Sequence, residues 1–173
     1  MATPITGISS KSLSSIRALS TADIAVTSSD EMSALTSAQI AVMSTAQIAA
    51  INTSSISSLS TATISSLSAN QMFALITAQI AALSSDTQIA SLKTSQIAAM
   101  STAQVAALST DQFSNLKTSQ IKALTSAQMA GLNTAQIVAL STAQTYYLTT
   151  GQLAALTSSQ LAAMENEDLK VLT

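Results

Sequence analysis

An eight-residue unit of the form polar-Thr-Ala-Gln-Ile-Ala-Ala-Leu recurs almost without pause from about residue 12 to the end of the chain. Ser101-Thr102-Ala103-Gln104-Val105-Ala106-Ala107-Leu108 is one copy, and Asn133-Thr134-Ala135-Gln136-Ile137-Val138-Ala139-Leu140 is another. A period this short means that one small unit is stacked on itself, so the architecture is quasi-one-dimensional. It also leaves no position chemically singled out. The expectation is therefore structure and assembly, not a reaction.

Within the octad the polar residue after Leu is a natural N-cap, and Gln lies three residues on. That is a capping box: the cap hydroxyl accepts from the N3 amide while Gln reaches back to the cap amide. The preceding Leu or Met then occupies N′ and Ile occupies N4, which is the hydrophobic staple. Met43-Ser44-Thr45-Ala46-Gln47-Ile48 carries both features, as does Leu35-Thr36-Ser37-Ala38-Gln39-Ile40. A helix start is thus written every eight residues.

Two competing conformations fit less well. A continuous α-helix turns about 100° per residue, so eight residues overshoot two turns by about 80° and the Ile/Leu stripe winds around the axis. Supercoiling absorbs much smaller mismatches. In a β-solenoid, the alternative fold, Ile and Leu at odd spacings would face opposite sides of a strand. Ala and Gln are indifferent strand formers, and the Gly, Asn and Asp that sharp corners favour are scarce. The expected fold is all-α, a solenoid of very short capped helices, one per octad. Residues 1–11 read as an N-terminal arm or irregular cap, 12–164 as the solenoid, and 165–173 as a charged capping repeat.

Composition narrows function mostly by exclusion. Cys, His and Trp are absent, so disulfides and soft-metal sites are not expected. With no His or Cys to act as base or thiol, and few carboxylates, no catalytic residue and no cofactor is assigned. Charged residues make up only 8%, without the clustered basic surface that nucleic acid demands. So weakly charged a surface also offers little electrostatic resistance to self-association. No stretch approaches the roughly 18 apolar residues of a membrane span. The N-terminus lacks a recognisable signal peptide. The expected location is the cell surface or outside the cell, reached by another export route.

The repeat departs from itself at a few places. Between Leu83 and Ile89 one unit is nine residues long, read as a single insertion in a loop. Residues 52–67 lose their Gln and should be the least well capped segment. Lys93 and Lys117 sit at cap positions three octads apart, and would form a column if three units make one turn. Phe73 and Phe113 read as core variants. Tyr146 and Tyr147 replace the Ala pair and are candidate subunit contacts. So are Lys11 and Arg17 near one end and Glu165, Glu167 and Asp168 near the other, where opposite charges suit end-to-end pairing of copies.

The Leu-Ser-Thr-Ala-Gln-Ile-Ala-Ala unit resembles the tandem octapeptide tracts of some large, secreted or surface-attached bacterial proteins of adhesin type. The likeness covers nearly all of the chain past residue 12. It implies an extracellular bacterial setting, attachment to the cell surface and a structural or adhesive role. The sequence reading is a homopolymer that stacks head to tail into a filament or surface layer. A binding module presenting Ser/Thr rows to ice or carbohydrate, and a passive spacer, are the alternatives.

Overall fold

Ser44 illustrates how one unit is built. Its backbone is extended at φ −70° and ψ 160°, which turns the chain by a corner, and its hydroxyl accepts from the Gln47 amide. The Gln47 side-chain oxygen accepts from the Ser44 amide at 2.8 Å, closing the capping box. Five residues, Thr45–Ala49, are helical. The Ile51 amide then donates to the Ile48 carbonyl, and the chain straightens into the next cap. No residue other than glycine takes a positive φ among the described residues, so the corners need no glycine. Gly7 alone does so, at φ 60°.

A computed structural model describes residues 4–164. Among them the chain forms eighteen α-helices, a 3-10 turn at Ile8–Ser10 and a π turn at Ser85–Ile89, with no strand. Each unit packs on the unit three places along: Thr94–Ala99 on Thr118–Ala123, Thr45–Ala49 on Ala69–Ala74, Thr134–Val138 on Ser158–Ala163. Three octads therefore make one coil, and the molecule is a three-sided helical solenoid. The first side begins with Ile8–Ser10, the second with Leu13–Arg17 and the third with Thr21–Ala25.

The core is a single column of buried side chains running the length of the coils. The Ile slot points to its centre, with Ile16, Ile40, Ile64, Ile97 and Ile137 wholly buried. The Leu slot at each corner is nearly as well covered. The second Ala position is half-buried in most units, while the first Ala position and the first and second helical positions mostly face outward. A seven- or eight-residue unit has no stability alone, since helix nucleation is costly. Each coil exists because its neighbours bury its apolar side.

Two expectations from sequence are corrected here. The ninth residue of the long unit does not enlarge a loop. Gln88 keeps its bonds to the Ser84 cap, and the extra residue swells the first turn, so that the Ile89 amide reaches back five residues to the Ser84 carbonyl. Holding the cap and the core residue in place leaves the helical turn as the part that yields, as in π-bulges elsewhere. Phe113 occupies an Ile slot and is buried, but Phe73 is 62% exposed. Met72 fills the Ile slot of that unit, which puts Phe73 at the outward Ala position.

The segment without Gln is also visible. Thr53–Ile56 is the shortest α-helix among the described residues, and neither it nor Thr61–Ser65 has a capping box.

One core slot is mismatched. Thr145 takes an Ile position, is fully buried, and its hydroxyl has no hydrogen-bond partner. An unmet buried hydroxyl costs about 1–3 kcal/mol, and the equivalent slot accepts Ile in most units. Replacing it by Thr145→Ile should raise unfolding stability by about 1–3 kcal/mol, read from chemical denaturation; a loss of stability would contradict this packing.

Candidate functional site

The Gln slot does more than cap. Every glutamine in the chain, from Gln39 to Gln160, is buried. Gln47 shows the pattern. Its oxygen accepts from its own cap amide, and its Nε2 donates to the carbonyls of Ile16 at 3.0 Å and Leu19 at 2.8 Å. Those carbonyls lie 31 and 28 residues earlier, at a corner of the coil beneath, where a helix ends and no backbone donor is left for the Leu carbonyl. Gln71 treats Ile40 and Met43 in the same way, as Gln120 does Ile89 and Leu92 and Gln160 does Met129 and Leu132. Around the nine-residue unit, Gln88 to Gln112, the spacing lengthens to 32 and 29 residues and the bonds persist.

Where the capping residue is Ile76, Lys93 or Lys117, its side chain has no acceptor for the N3 amide, so only the glutamine half of the box exists. The glutamine is kept there all the same. Its bonds to the coil beneath account for that better than capping does. In the segment without Gln, Thr63 substitutes one hydroxyl bond, to the Leu35 carbonyl at 3.0 Å.

In the first three octads, whose partner corner 28 and 31 residues earlier would fall before residue 4, the Gln slots hold Ser15, Asp23 and Glu31. Glu31 accepts from the Gly7 and Ile8 amides, both at 2.8 Å. Gln39 grips the same turn from its carbonyl side, at Ile8, Ser9 and Lys11. Ile5 and Ile8 are buried, and the Ile8–Ser10 turn packs on Ser29–Ser33.

Hydrogen bonds from the Ile8 and Gly7 amides hold the Glu31 carboxyl below its ordinary pKa, helped by the charge of Lys11. A depressed carboxylate pKa contributes stability that is present above the ordinary value and lost as pH falls through the lowered one. The Gly7 and Ile8 amide proton shifts should therefore titrate with the Glu31 carboxyl, with a midpoint below that of a free glutamate, and Glu31→Gln should abolish the transition. Amide shifts that stay fixed, or a midpoint at or above the free value, would refute the clamp.

The sequence-selected contact residues are scattered. Lys11, partly buried, and exposed Arg17 belong to the first coil. Tyr146 and Tyr147 lie far along the solenoid on the third side, 64% and 50% exposed, with their rings edge to face at 5.3 Å. Glu165, Glu167 and Asp168 fall outside the described residues. Lys93 and Lys117 do cap stacked helices of one side, Thr94–Ala99 and Thr118–Ala123, as three units per turn require. Among the described residues no three His, Cys, Asp or Glu side chains are placed to share a metal ion, and no helix is long and apolar enough to cross a membrane.

Sequence reasoning missed the second role of the glutamines. The available signal was that Gln is absent from the first three octads and then nearly constant.

Comparison at the family level matches the ALTTAQ repeat at residues 29–61, 48–85, 87–118, 113–142 and 121–158. The chain belongs to the ALTTAQ repeat family. The matches span 29–158 and skip residue 86 alone, within the unit that is one residue too long. In the fold, the ALTTAQ letters are the last Ala of one unit, the corner Leu, the N-cap, two helical residues and the bridging Gln, as in Ala123-Leu124-Thr125-Ser126-Ala127-Gln128. No curated protein and no solved structure matches the chain.

Proposed function

We propose that this ALTTAQ repeat chain is a non-catalytic structural rod that works by association of its copies, on the outside of a bacterial cell, to build a filament or surface layer. One observation carries the reading. A single core runs through all the coils, each latched to the next by buried glutamines, and this makes a stiff body with a repetitive, weakly charged exterior. Such a body has regular faces to offer to copies of itself and concentrates reactive groups nowhere. The extracellular setting rests on the resemblance to octapeptide tracts of surface proteins.

In our reading the contacts run along the sides of the rod, where the weakly charged exterior repeats from coil to coil, rather than head to tail, the arrangement favoured from sequence. Heterologous side contacts close into rings or extend as filaments and sheets, depending on the rotation between copies.

Sedimentation of the purified chain over a wide concentration range, with negative-stain images of the largest species, tests this. Association into regular assemblies of parallel rods is expected. A strictly monomeric profile at the highest concentration would overturn it.

A further inference from the structure

Two of the three sides are not uniform. Beyond Ser33, the lysines of the described residues, Lys93, Lys117 and Lys122, all belong to the third side, together with the exposed rings of Phe73, Tyr146 and Tyr147. The acidic residues over the same stretch, Asp86 and Asp111, both belong to the second side. That side also holds an open groove of about 560 Å³ lined by Thr110, Thr134, Ala135, Val138, Ala139 and Ala163, with Val138 47% exposed. A chain with so few charges and aromatics has sorted them by sign and by face.

We propose that the second side of one copy docks on the third side of another, the two rods lying parallel and close to axial register. This rests on the reading above that copies associate. Every helix crosses its side from an N-cap corner to a C-terminal corner. When two parallel rods meet face to face, the N-cap edge of one lies along the C-terminal edge of the other. The second position of a helix on one copy then faces the fifth position on its partner.

Asp111 holds the second position of Thr110–Ser114, and Lys122 the fifth of Thr118–Ala123, the next helix of the same coil. They meet across this interface, and neither side chain has an ion-pair partner within the described residues. One coil on, Tyr146 stands at the fifth position of Thr142–Tyr146. It meets Thr134 and Ala135, the first and second positions of Thr134–Val138 and part of the groove wall. One placement thus pairs the opposite charges and brings Tyr146 to the groove wall. Turning one rod end for end sets N-cap edge against N-cap edge, so that second position faces second position and both matches are lost. Buried aromatics are the usual anchors of an interface, and the charges fix its register and orientation.

Charge reversal tests it. The wild type, Lys122→Glu, the double variant Asp111→Lys/Lys122→Glu, Tyr146→Ala/Tyr147→Ala and a control on the first side, Ala130→Lys, are compared by sedimentation, with circular dichroism to verify the fold. Lys122→Glu should weaken association at least about tenfold by setting two carboxylates together. The double variant should restore it, the tyrosine variant should weaken it, and the control should leave it unchanged. A wild type that associates while Lys122→Glu does so equally well, or a double variant that fails to restore, would overturn these faces and leave self-association standing. A wild type that remains monomeric would overturn self-association and this interface with it.

Discussion

The carboxamide of a single residue type joins the two levels of this structure. Its oxygen closes the N-cap of its own helix, and its nitrogen takes the stranded Leu-slot carbonyl, and shares the Ile-slot carbonyl with a backbone amide, at a corner one coil away. A buried corner without that donor would hold an unmet Leu-slot carbonyl, and a buried carboxamide without those acceptors would be unmet as well. Each half makes the other tolerable. The distance between the two partners sets the coil at three octads, because the bonds from Nε2 to the corner carbonyls at 2.6–3.0 Å are made only when a later unit lies directly over the corner of an earlier one.

Glutamine suits this slot better than its relatives. Glutamate has no donor and would set a charge against carbonyl dipoles; it occurs at Glu31, where the Gly7 and Ile8 amides are within reach, and there it accepts from them instead. Asparagine is a methylene too short to span both coils, and it is used at caps, as at Asn52 and Asn133. The hydrophobic column supplies most of the driving force for collapse, but by itself Ile and Leu would permit many stackings. The glutamines choose among them, as a satisfied buried polar network does. The response to the extra residue near Asp86 illustrates the hierarchy: a helical turn deforms to π geometry while the bridging bonds remain.

Much of this is legible in the sequence, and for a physical reason. Capping boxes and staples are local, so Ser44 with Gln47, or Thr36 with Gln39, announce a helix restart without reference to the rest of the chain. The number of units per turn is not local; only the recurrence of Lys93 and Lys117 hints at it. The long-range half of the glutamine bonding has no local signature, since Ile16 and Leu19 offer Gln47 nothing but backbone carbonyls. Phe73 reads as core from sequence because an apolar residue beside Met72 looks buried, whereas one step along so short a helix is the difference between centre and surface. The candidate contact surface was half legible. Tyr146 and Tyr147 stand out in any alignment of the octads, but the grouping of lysines on one side and aspartates on another appears only once the chain is wound in threes.

Exchange of the glutamine side-chain amide protons, followed by NMR in the folded protein, addresses the bridging role directly. The glutamines from Gln39 to Gln160 should be protected well beyond free glutamine, while the exposed Asn70 carboxamide exchanges freely. Glutamine amides that exchange as fast as that of Asn70 would contradict the ladder and, with it, the coupling of one coil to the next.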